Sequence, residues 1–202
     1  GDHLYLGTQE GEVRAYDARN GSERWVAQVS SEVLAAPREE EGIVVVRSID
    51  GRVFGLDADS GRRIWIYDHA VPLLTLRGNS RPLIRAGVVY IGYDGGEVVA
   101  LRLRDGSLIW EQPVVSTEGR SELERLADID GQLVYVASDL LVSSYKNRLA
   151  SLAADSGRLL WFKDIASATG VAIDRVNLAI SDREFGKEQW EVANVMHVRR
   201  EM

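Results

Sequence analysis

One fifteen-residue phrase is written four times in this 202-residue chain. It reads "GEVRAYDARNGSERW" from Gly11 to Trp25, "GRVFGLDADSGRRIW" from Gly51 to Trp65, "GEVVALRLRDGSLIW" from Gly96 to Trp110 and "NRLASLAADSGRLLW" from Asn147 to Trp161, and the four align without a gap. Each phrase sets a glycine four residues before a closing tryptophan. Successive tryptophans stand 40, 45 and 51 residues apart. Self-similarity at such a period describes a small unit that cannot bury its apolar face alone and must stack on its neighbours.

The unit is made of strands. A short run precedes each phrase: "HLYLGT", "GIVVVRS", "GVVYIGY" and "QLVYVAS". Val, Ile and Tyr suit a pleated, half-buried surface, and Asp50-Gly51, Asp94-Gly95-Gly96 and Asp105-Gly106 are turn signals. The pattern predicts strand, tight turn, strand, glycine turn and strand, with a further strand in the linking segment. Four strands at this period make a propeller blade; leucine-rich and ankyrin units are shorter. The glycine suits a turn at positive φ, and the tryptophan brings a flat ring with one N–H donor to the blade boundary. Small residues at Ala15, Gly55, Ala100 and Ser151 leave room for that ring. Trp25, Trp65, Trp110 and Trp161 are therefore read as blade-docking residues, since a side chain repeated in every blade is scaffold.

Composition narrows the function. A chain that is 45% hydrophobic and 27% charged is an ordinary globular one. Its formal charge of −7 argues against a nucleic-acid partner, which calls for an excess of Lys and Arg. Cysteine is absent, which removes disulfides, thiolate nucleophiles and Cys-ligated metals. "GDHLYLGTQ" opens inside a strand pattern, so the chain reads as starting part-way through a longer protein. Residues 1–182 read as a partial propeller. A fifth blade begins at "VAIDRVNLAISD", and "FGKEQW" again sets Gly186 four residues before Trp190. The following "EVANVMHVRREM" matches nothing in the repeat, so 183–202 is expected to be an irregular or truncated tail. "SDLLVSSYKN" (138–147) reads as extra residues where one strand turns into the next.

The links between blades emerge on one face of a propeller, and here they grow. From each tryptophan to the next phrase they span 26, 31 and 37 residues. The two longest are consecutive, so their extra residues are expected side by side, and loops on a rigid scaffold are where binding residues gather. "VPLLTLRGNSRP" (71–82) sets Leu73, Leu74 and Leu76 beside Arg77. "GRSELERLADIDG" (119–131) surrounds Arg120 and Arg125 with Glu122, Glu124, Asp128 and Asp130 in an expected helical turn. Apolar groups next to arginine are the composition of interface centres. The competing reading has the leucines filling a satellite core and the charges pairing locally.

The A-x-D-x-x-x-G-x-x-x-W pattern of "AYDARNGSERW" and "GLDADSGRRIW" resembles the tryptophan-docking motif of eight-bladed PQQ-type β-propellers, which include quinoprotein dehydrogenases and non-enzymatic scaffolds. The two link segments, with "VSSEVLAAP" (29–37), resemble the BamB family, propeller lipoproteins of the outer-membrane β-barrel assembly machine, over residues 1 to about 182. That resemblance implies an all-β fold of about four blades from an eight-bladed ring. It also implies a non-catalytic scaffold on the periplasmic face of the bacterial outer membrane, held there only by a lipid anchor that these residues lack. Its implied partners are a periplasmic domain of BamA, gripped by Leu74, Leu76, Arg77, Asp128 and Asp130, and unfolded outer-membrane proteins. Half a ring in isolation is expected to be marginally stable and either to self-associate or to aggregate.

The alternative is a fragment of a PQQ-dependent dehydrogenase. Such an enzyme needs calcium ligands, a catalytic carboxylate and groups that clamp a planar cofactor. Asp17, Asp57, Asp105 and Asp155 recur instead at blade turns, where Asx hydrogen bonding explains them. "DADSG" (57–61) mimics part of a calcium loop but lacks the other oxygen ligands, and Ser121 has no histidine near it in sequence. His3, His69 and His197 share no ligand spacing and are expected as surface or turn histidines. No metal and no cofactor are expected.

Overall fold

The computed structural model describes residues 2–70, 80–93, 95–114, 129, 133–144, 148–164, 171–173, 177–182 and 189–194. Its strands form five antiparallel meanders, each built from consecutive strands. The first sheet holds β1 (His3–Gly7), β2 (Glu12–Asp17) and β3 (Glu23–Gln28). The second holds β4 (Arg38–Glu40), β5 (Ile43–Arg47), β6 (Val53–Asp57) and β7 (Arg63–Tyr67). The third holds β8 (Leu83–Arg85), β9 (Val88–Gly92), β10 (Glu97–Arg102) and β11 (Leu108–Pro113). The fourth holds β12 (Val134–Val136), β13 (Asp139–Ser144), β14 (Arg148–Ala153) and β15 (Leu159–Asp164), and the fifth β16 (Val171–Ile173), β17 (Asn177–Asp182) and β18 (Gln189–Asn194).

Two details differ from the sequence reading. "QLVYVAS" is not the counterpart of "GVVYIGY": it supplies the short first strand β12, and the supposed insertion contains β13, whose Leu141 pairs with Ser151 as Tyr90 pairs with Ala100. The first two strands of a blade join through a two-residue turn at positive φ, Glu41-Gly42 (53° and 76°) and Ala86-Gly87 (53° and 74°). In the fourth sheet Ala137 takes that conformation at φ 55° without a glycine to announce it. The second difference is β18, which pairs with β17 from Asn177↔Asn194 to Asp182↔Gln189, inside the stretch expected to be irregular.

Each repeated glycine closes the same five-residue turn. The N–H of Gly21 donates to the Asp17 carbonyl, Gly61 to Asp57, Gly106 to Arg102 and Gly157 to Ala153, at 2.8 to 2.9 Å. All four glycines lie at φ between 68° and 72°, where a Cβ is strained. Just beyond, the ladder slips by one residue in each of the first four sheets. Trp25 pairs with Ala15, Trp65 with Gly55, Trp110 with Ala100 and Trp161 with Ser151, and a bulge follows each pair.

Burial records the stacking. In the second and third sheets β5, β6, β9 and β10 are buried along nearly their whole length, because both faces are covered. β1 and β2 alternate instead, and Leu4 and Leu6 remain 53% and 47% exposed on the open face of the first sheet. Three apolar layers fill the gaps between consecutive sheets: Val13, Trp25, Val44 and Phe54; then Val45, Trp65, Ile91 and Leu101; then Tyr90, Trp110, Leu140 and Leu152.

Candidate docking site on the linking segments

The tryptophans fix the angle at which one blade meets the next. The indole N–H of Trp25 donates to the Ala58 carbonyl and that of Trp65 to the Leu103 carbonyl, both at 2.8 Å, and that of Trp110 to the Ala154 carbonyl at 3.0 Å. Each acceptor stands in the following sheet, one residue past its third strand. The same rings lie flat on the turn glycines of that sheet: a Cβ at Gly61, Gly106 or Gly157 would approach Trp25, Trp65 or Trp110 to 2.5–2.6 Å. The glycine therefore has two tasks, the left-handed turn of its own blade and a bare seat for its neighbour's indole. Tyr90 also donates to the Ala154 carbonyl, at 3.1 Å, and burial pushes its hydroxyl up to about 12. Trp161 occupies the equivalent place opposite Ser151 and is partly buried.

On this frame the roots of the two long links meet. Leu74, Leu76, Arg77, Asp128 and Asp130 lie outside the described residues, but Ser80, Ile129 and Gly92 do not. A Cβ at Gly92, the last residue of β9, would lie 2.6 Å from Ile129 Cγ2 and 3.3 Å from Ser80 Oγ. Ile129 is fully buried there, its N–H donating to the Tyr93 carbonyl at 3.3 Å. The first sheet repeats the seat with the shortest link: Val33 packs on Gly7 and donates to the Thr8 carbonyl at 2.9 Å. In the second sheet the corresponding residue is Arg47, only 4% exposed, whose guanidinium donates to the Gly92 carbonyl at 2.9 Å and stacks on Tyr93. Gly92 and Tyr93 thus anchor the chain as it leaves both long links.

The turn carboxylates are held by their own loops. The Arg19 side chain and then the Arg19 N–H keep Asp17 far below the usual carboxylate range. Asp57 is lowered by the Ser60 hydroxyl and N–H, at 2.6 and 2.9 Å, and Asp105 by Ser107. Each serves its own sheet, and "DADSG" is a capped turn. His69 departs from expectation. Its side chain is only 10% exposed, its Nε2 stands 3.2 Å from Glu97 Oε2, and Tyr93 packs on its ring at 3.9 Å between centroids. Local spacing could not reveal this group, since its members come from two blades.

Five antiparallel meanders, the first four of them joined in sequence by tryptophan on glycine, define a segment of a PQQ-type β-propeller. The family model described as "Outer membrane protein assembly factor BamB" matches residues 1–201. Curated proteins of that name are 38% identical over 90% of this chain in Nitrosomonas eutropha and 41% identical over 89% in Xanthomonas campestris pv. campestris. The chain belongs to the BamB family. It spans 44% of the length of each of those two relatives. The crystal structure of BamB from Moraxella catarrhalis superposes with a TM-score of 0.83 at 30% identity, covering 96% of this chain and 62% of that one. Quinohemoprotein alcohol dehydrogenase from Comamonas testosteroni, at TM-score 0.72 but 15% identity over 96% of this chain and 41% of that one, shares the fold alone.

Proposed function

We propose that the protein is a non-catalytic scaffold for outer-membrane protein assembly, working on the periplasmic face of the outer membrane and binding a periplasmic domain of BamA through the paired link segments 71–82 and 119–131. The observation that carries this reading is the shared anchorage of both links at Gly92 and Tyr93. It supports one continuous surface in which Leu74, Leu76 and Arg77 supply apolar contact beside a guanidinium while Asp128 and Asp130 supply carboxylates. Membership of a family named for assembly supports the same role. Client chains have a separate place to pair. β3, β7, β11 and β15 each end their sheet and expose aliphatic side chains, Val26, Ile66 and Ile109 among them, which suits transient strand addition.

Hydrogen exchange of the full-length protein with and without the periplasmic domains of BamA tests this. The expected result is slowed exchange at 71–82 and 119–131, spreading to Gly92 and Tyr93, with the edges of β7 and β11 unchanged. Protection confined to those edges, or to no part of the links at saturating partner, would overturn the reading.

A further inference from the structure

We infer that His69, Glu97 and Glu111 form a site for a divalent first-row transition ion, zinc first among them, at the junction of the second and third sheets. It does not rest on the partner assignment above.

The three side chains reach one point from separate elements. His69 follows the end of β7, Glu97 opens β10 and Glu111 lies on β11. Because Glu97 pairs with Pro113 and Val99 with Glu111, the two glutamates are diagonal neighbours on one face of the third sheet. One ligand atom from each of the three residues falls within 4.8 Å of the others. Zinc bonds of about 2.0–2.2 Å place tetrahedral ligand atoms about 3.3 Å apart. The 3.2 Å between His69 Nε2 and Glu97 Oε2 is already that separation. Glu111 supplies the third ligand atom.

Three features favour an ion over a plain ion pair. The imidazole is held between aromatic rings, Tyr93 at 3.9 Å and Tyr67 at 6.3 Å between centroids, so its orientation is set in advance. Two carboxylates share the spot, and among the described residues no lysine or arginine lies within salt-bridge distance of either. The nearby Arg52 is taken by Asp50 and Asp68. Finally, Glu111 is exposed while His69 is not, which leaves the fourth position open to water or to a donor from a partner. Histidine with two carboxylates is a donor set that zinc accepts and that calcium, which prefers oxygen alone, does not.

The test is titration of chelator-stripped protein with zinc alone, read by calorimetry and by competition with a chromophoric chelator. One zinc per chain is expected, with a rise in melting temperature. Affinity should fall more than about 100-fold in His69→Gln and in Glu97→Gln, beyond the roughly 10–100-fold cost of losing an outer-shell partner. The metal-free melting temperature of each variant shows that it still folds, and Glu23→Gln, remote from the site, should bind as the parent does. No saturable zinc binding, or binding unchanged in both site variants, would overturn the proposal and leave a His69–Glu97 ion pair in its place.

Discussion

Trp65→Ala in the full-length protein is expected to lower the free energy of unfolding by about 3–5 kcal/mol, the range for deleting a buried tryptophan. Trp65 is 7% exposed and packs with Val45, Val89, Ile91 and Leu101 in the layer between the second and third sheets. Its removal leaves a cavity in that layer and strips the Leu103 carbonyl of its indole donor. Trp65→Phe keeps most of the ring and loses the N–H, so it should cost less, with about 1–3 kcal/mol for the orphaned carbonyl added to the smaller volume. Urea denaturation followed by tryptophan fluorescence at the remaining indoles measures both. A loss below about 1 kcal/mol for the alanine variant would mean that the blades are joined by something other than the ring.

The reciprocal substitution is Gly106→Ala. Gly106 lies at φ 68°, and its new Cβ would meet Trp65 Cε3 at 2.5 Å. A left-handed alanine costs about 1–3 kcal/mol, and forcing the indole off its seat adds about 1–3 kcal/mol of overpacking. Gly87 separates these contributions, for it has φ 74° and nothing within 4 Å of where a Cβ would stand. Gly87→Ala should show the backbone cost alone. The difference between the two variants reads the docking contact directly, and equal losses would show that the glycine matters only to its turn.

The same residues show how far the sequence could be read. Four glycines before four tryptophans were legible because two local demands coincide there, positive φ and a seat without a Cβ. The small residues opposite the rings were legible for a similar reason: Gly55 sits where a Cβ would come within 2.2 Å of Trp65. The first hairpin of each blade was less so. Ala137 takes positive φ with no glycine beside it, unlike Glu41-Gly42 and Ala86-Gly87, which hid β12 and made β13 look like an insertion. The convergence of the link roots on Gly92 could be guessed from link length, but the residue could not, since a strand-end glycine carries no sign of what crosses it. His69 was read as a surface or turn histidine, because Glu97 and Glu111 stand 28 and 42 positions along the chain. Their meeting is a product of blade stacking.

Calorimetric titration of BamA periplasmic domains into the full-length protein tests most directly whether the paired links grip the partner. With the double substitution Leu76→Ala and Arg77→Ala, binding should weaken by about 2–4 kcal/mol, or about 30- to 1,000-fold, as hot-spot residues do. The circular dichroism spectrum and the urea midpoint should remain those of the parent, since the docking tryptophans Trp25, Trp65 and Trp110 and the layers they fill are untouched. Undiminished affinity in a normally folded double variant would contradict the account.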